Sequence, residues 1–114
     1  MGRNSNLAEQ RETVVPVFAA LGDGTRLSLI AKLAGGQTRT IAQLTEGSQI
    51  TRQAITKHLR VLERAGIVHN RREGRESRFA LDTKRIDDLR AYLDQVSNQW
   101  DNALSRLKDF VEQG

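Results

Sequence analysis

Apolar residues recur along this chain with two different periods, and the change of period divides it. Val14 to Leu21 is wholly apolar and predicts a short helix. Pro16 fits a helix best in its first turn, so the regular part is expected to begin near Val14, with residues 1–12 polar and frayed. Gly22-Asp23-Gly24 interrupts the run. Asp23 is placed to cap a second helix from about Gly24 to Ala34, in which Leu27, Ile30, Leu33 and Ala34 share a face. Gly35-Gly36 ends it. Thr40 and Gln43 have the spacing of a capping box, which opens a short third helix from Ile41 to about Glu46. After Gly47-Ser48-Gln49-Ile50, Thr51 is an N-cap for a helix over 52–65, with Ile55, Leu59 and Leu62 as its inward stripe and Gly66 just past its end.

At Ile67 the period falls from 3.6 to 2. Ile67–Arg72 and Ser77–Leu81 read as two strands of a hairpin, joined through Glu73-Gly74-Arg75-Glu76. A last helix, capped by Asp82 or Thr83, runs to about Glu112. It carries a 3-4 heptad repeat with every a and d position apolar: Ile86, Leu89, Leu93, Val96, Trp100, Ala103, Leu107 and Phe110. Over 84–112 such a helix would be roughly 43 Å long at 1.5 Å per residue. A compact domain of this size has a radius of gyration of only about 13 Å. The helix therefore overhangs, and its seam calls for a second copy of the chain; the alternative is a break near Ser97-Asn98 that folds it back over its own core. Val14, Val17 and Phe18 are expected to complete that interface. The fold class is mainly α with a small β-hairpin, in one domain spanning 1–114.

Charge sharpens this picture. The 114 residues hold 18 Lys and Arg against 14 Asp and Glu, a net +4. Residues 50–81 alone hold eight basic and three acidic groups, whereas the flanking segments carry +1 and −2. A basic segment inside a folded domain points to a polyanion. Two helices joined by a short Gly-containing turn form a helix-turn-helix pattern. With its stripe inward, the helix over 52–65 turns Arg52, Gln53, Thr56, Lys57 and Arg60 outward. These side chains can read bases or bind phosphates, and the amides near Thr51 favour an anion. Arg71, Arg72, Arg75 and Arg78 then cluster on the hairpin (67–81), the layout of a basic wing on the backbone or in the minor groove.

Ala20-Leu21-Gly22-Asp23-Gly24-Thr25-Arg26-Leu27, Ile41-Ala42-Gln43-Leu44, the run Ile55-Thr56-Lys57-His58-Leu59-Arg60-Val61-Leu62-Glu63-Arg64-Ala65-Gly66-Ile67-Val68, and Arg72-Glu73-Gly74-Arg75 follow one another in this order. In this the chain resembles the ArsR/SmtB family of bacterial winged helix-turn-helix repressors over about residues 14–90. Gly24 stands where that family usually has Pro. The resemblance implies a homodimer that binds an inverted-repeat operator in double-stranded DNA and is released by an inducer, often a metal ion. The family's metal ligands are missing, however. Thr40 and Ala42 occupy the positions of its Cys-x-Cys pair, and residues 82–114 contain no histidine. His58 is expected to orient or pack, and His69 to lie on a strand surface. No metal and no cofactor is expected, and the inducer cannot be read.

Other functions are disfavoured on composition. The chain has no cysteine, no Gly-rich phosphate loop and no triad, so an enzyme is not expected. No apolar run approaches the ~20 residues of a membrane span, and no signal peptide opens the chain, so a cytoplasmic location is expected. The alternatives to a sequence-specific regulator are a winged-helix protein-interaction module and a non-specific DNA-coating protein.

Overall fold

The computed structural model describes the backbone of residues 3–113 and the side chains of residues 7–113. Its elements are α1 (Arg3–Leu21), α2 (Gly24–Leu33), β1 (Arg39–Thr40), α3 (Ile41–Thr45), α4 (Arg52–Arg64), β2 (Val68–Glu73), β3 (Glu76–Leu81) and α5 (Thr83–Gln113). The winged helix-turn-helix fold class is as expected. The hairpin is longer by one short strand: β1 pairs antiparallel with β3, giving the order β1-β3-β2. Two residues between a loop and the start of α3 carry too little alternation to be read from sequence.

Three expectations are corrected. The first helix begins at Arg3, not near Val14, and Pro16 lies inside it. An internal proline costs about 3 kcal/mol in an isolated helix. Here that cost is offset by packing, because α1 lies along α5 with Val14 and Val17 each 1% exposed. These two valines therefore belong to the protomer's own core and not to a seam between copies, whereas Phe18 stays 42% exposed. On α2 the buried residues are Leu29 and Leu33, and Leu27 is 51% exposed. The fold places α2 between α1, α4 and β3, and that placement selects the Leu29 side.

Local signals hold closely elsewhere. Asp23 accepts the Arg26 N–H at 3.0 Å to cap α2. Both halves of the Thr40–Gln43 box are formed. α4 ends in a Schellman turn, with Gly66 N–H donating to the Glu63 carbonyl and Ile67 N–H to that of Leu62. Gly66 has φ +78°, a conformation that favours glycine, and a Cβ there would also crowd the Arg85 side chain on α5, 3.0 Å from its Cγ.

The core gathers Leu44 from α3, Ile55, Leu59 and Leu62 from α4, Ile67, Val68 and Phe79 around the sheet, and Leu89 from α5. α5 has 31 residues, about 46 Å at 1.5 Å per residue. Its first part joins this core through Leu89 (8% exposed), with Ile86 and Tyr92 packed against it. Leu89 is thus another expected seam residue that lies inside the protomer. Beyond it Val96 and Ala103 are half-buried, while Leu93, Trp100, Leu107 and Phe110 are 46–76% exposed. The molecule measures 68 × 33 × 21 Å with a radius of gyration of 19.1 Å, which registers the overhang directly. Among the described residues, no single helix is long and apolar enough to cross a membrane.

Candidate nucleic-acid interface

The apolar stripe of α4 fixes its orientation. Ile55, Leu59 and Leu62 are buried, so Arg52, Gln53, Lys57 and Arg60 are exposed on the opposite face. Thr51 accepts the Ala54 N–H at 3.1 Å, which leaves its hydroxyl proton free to donate to a phosphate. Thr56 is half-buried, and its hydroxyl donates to the Arg52 carbonyl at 2.8 Å. It keeps its methyl group and its lone pairs for contact with a base.

A side-chain cluster ties this helix to α1 and α2, and a separate contact ties α2 to α3. The Arg26 guanidinium donates to the Ala20 carbonyl and meets His58 Nδ1 at 3.2 Å, while Asp23 lies 3.8 Å from the same nitrogen. The end of α1, the start of α2 and the middle of α4 are thereby joined. The Arg26 backbone N–H donated to Asp23 holds its carboxyl below the usual aspartate value; burial opposes this, and the nearby His58 and Arg26 side chains add to it. His58 is thus in contact with Arg26 and near Asp23, two residues that charge counting passes over. On the other side, Lys32 Nζ donates to the Leu44 carbonyl at the end of α3.

The wing is a two-residue hairpin. Glu73 pairs with Glu76, leaving Gly74 and Arg75 as the turn. Gly74 has φ +65° and Arg75 does not have positive φ, which is the signature of a type II′ turn. Arg71, Arg72 and Arg75 are exposed on it. Arg78 is placed differently from the expectation that groups it with them. Its guanidinium lies 3.6 Å from Glu73 and 3.5 Å from Glu76 and donates to the Thr38 hydroxyl. It ties the wing to the segment before β1, and its charge is already met. Alternation along β2 puts Asn70 on the face of buried Val68, and Asn70 and Ser77 line a cleft of about 90 Å³ with Thr56 and Arg60. Asn70 is the residue that sequence reading missed, although the period of 2 held the signal.

Arg52, Lys57, Arg60, Arg71, Arg72 and Arg75 have no carboxylate partner among the described residues. Six free cations on adjacent elements, with Gln53 and Thr56 between them, form a surface suited to a polyanion whose edges carry hydrogen-bonding groups. His69 turns away to Asp82 at the start of α5, 3.1 Å distant. Among the described residues, no three His, Cys, Asp or Glu side chains are grouped to share a metal ion.

A helix-turn-helix followed at once by a basic wing defines a DNA-binding domain. Residues 21–71 match the family described as a helix-turn-helix domain. An HTH-type transcriptional regulator of Mycobacterium tuberculosis is 31% identical over 95 residues, covering 83% of this chain and 85% of that protein. The transcriptional repressor SdpR of Bacillus subtilis is 30% identical over 88 residues, covering 77% and 97%. An ArsR-like transcriptional regulator from Rhodococcus sp. RHA1 has the same fold at a TM-score of 0.77 and 30% identity, covering 87% of this chain and 92% of that one. The homodimeric winged helix-turn-helix DNA-binding domain Mb0332 of Mycobacterium bovis superposes at 0.61 with 26% identity, covering 87% of each chain. The chain belongs to the ArsR family of winged helix-turn-helix regulators, and it is a DNA-binding transcriptional regulator.

Proposed function

We propose that the protein is a homodimeric, sequence-specific repressor. α4 enters the major groove of an inverted-repeat operator, and the wing lies on the backbone or in the neighbouring minor groove. The observation that carries this is the set of six unpaired cations around Gln53 and Thr56 on the one exposed face of α4 and on the wing. Phosphate contacts from Arg52, Lys57, Arg60, Arg71, Arg72 and Arg75 position the domain, while Gln53 and Thr56 read bases. The dimer is supported by the exposed run Leu93, Trp100, Leu107 and Phe110, which one protomer cannot cover, and by the homodimeric mycobacterial domain of the same fold. Repression is supported by the name of the Bacillus relative.

Selection of bound duplexes from a random pool, with purified metal-free protein, tests this directly. The expected product is an inverted repeat with half-sites about one helical turn, roughly 34 Å, apart. Salt-sensitive binding with no enriched sequence would instead describe a coating protein. No binding at all would leave a protein-interaction module.

A further inference from the structure

α1 and α4 do not close against each other at their C-terminal ends. Between them lies an open groove of about 290 Å³, lined by Pro16, Ala19 and Ala20 of α1 and by Val61, Arg64 and Ala65 at the end of α4. Three alanines leave the space that longer side chains would fill. Its volume equals about ten waters at ~30 Å³ each, near the lower end for small-molecule sites. Five of the six lining residues are apolar, and Arg64 is the single charge. Arg64 has no carboxylate partner among the described residues. The neighbouring carbonyls of Leu62 and Glu63 are engaged by the Schellman turn and do not compete for the guanidinium. An apolar bed with one free guanidinium at its rim is complementary to a flat apolar body bearing one carboxylate.

We propose that this groove binds a small aromatic monocarboxylate, with the ring on Pro16, Ala19 and Val61 and the carboxylate on Arg64. The site joins α4, the DNA-facing helix, to α1, which lies along α5. A wedge between them changes the angle of α4 relative to the α1–α5 scaffold, and so the spacing of two DNA-facing helices in a dimer. The regulatory consequence rests on the proposed function; the binding does not.

The test is a titration of the ¹⁵N-labelled full chain with 2-naphthoate, followed by amide shifts, beside the neutral 2-naphthamide. Saturable shifts centred on Ala19, Ala20, Val61 and Ala65 are expected. Naphthoate should bind about fivefold more tightly than the amide, the upper end for a solvent-exposed ion pair. Arg64→Gln should abolish that preference while leaving the spectrum folded. Ala19→Leu, a good helix former at an exposed position, should fill the groove and remove binding of both compounds. Shifts centred elsewhere, no saturable shifts, or equal affinity for acid and amide would each overturn the proposal. Operator binding of the unliganded protein, measured first, separates the two readings. Loss there defeats the proposed function and leaves the titration valid. Intact DNA binding with a null titration defeats only the groove.

Discussion

The two amphipathic helices α4 and α5 use the same period for opposite ends. In α4 the apolar stripe is spent entirely inside the protomer: Ile55, Leu59 and Leu62 are each at most 2% exposed. What remains outside is Arg52, Gln53, Lys57 and Arg60, a face that water and phosphates solvate equally well. In α5 only the first turns are spent in this way, through Ile86, Leu89 and Tyr92. What remains outside is Trp100, Leu104, Leu107, Phe110 and Val111, each more than half exposed. Exposed apolar surface on this scale marks an interaction site. The residue types left over after the core is filled are what support the proposed partners: nucleic acid at α4, a second copy at α5.

Ending the chain after Leu93 removes the exposed part of α5 while keeping Leu89 and Tyr92. The shortened protein is expected to sediment as a monomer and to bind the selected operator 10²–10⁴-fold more weakly, the avidity lost when two linked sites become one. A truncated protein of undiminished affinity would break the comparison at its α5 side. Within α4, Leu59→Ala is expected to cost about 2–5 kcal/mol in urea unfolding, because the site is closed on all sides. Leu107→Ala, at an exposed position, should cost the isolated protomer far less and act on dimerisation instead.

Smaller effects separate roles on the proposed DNA-facing surface. Gln53→Ala should cost about 1–3 kcal/mol on the selected operator and relax preference at one base pair. Arg75→Ala should weaken all duplexes alike and lower the slope of log affinity against log salt by about 0.9, one phosphate contact. Arg78→Ala, whose cation already meets Glu73 and Glu76, should leave that slope almost unchanged. Equal slopes for the Arg75 and Arg78 variants would refute the distinction drawn between them.

The smallest effect concerns pH. The Asp23 carboxyl is held below its ordinary value of 3.8, so its contribution to stability is present above that value and fades as pH falls through the folded one. Asp23→Asn keeps a side chain able to cap α2 but no charge. Its stability relative to wild type should be constant in neutral buffers and converge only in acid below about pH 4. Convergence at neutral pH would mean that the charge plays no part.

Much of this was legible along the chain. The caps at Asp23, Thr40 and Thr51 and the glycines at 66 and 74 are local devices: each is specified by side chains within a few residues of the backbone it satisfies. The exposed polar set on α4 was legible too, because a stripe of three apolar residues orients a helix whatever it packs against. Residues 3–13 were not. Their polar sequence carries no strong helical signal, and Gln10 and Thr13 lie beside Asp88 and Ala91 of α5, some eighty residues away. Arg78 misled for a related reason: its charge counts the same in sequence whether free or paired, and only the β2–β3 register sets it between Glu73 and Glu76.

The sequence by itself therefore determined the order of elements, the caps, the turn of the wing and the family, because those depend on contacts of short range or on a period that needs no partner. The tertiary structure alone decided which apolar residues each protomer keeps. It drew Val14, Val17 and Leu89 inward, chose Leu29 over Leu27, and left the end of α5 uncovered. Hydrophobic burial has no direction of its own; a stripe says that a face must be covered, and only the arrangement of helices in space says by what.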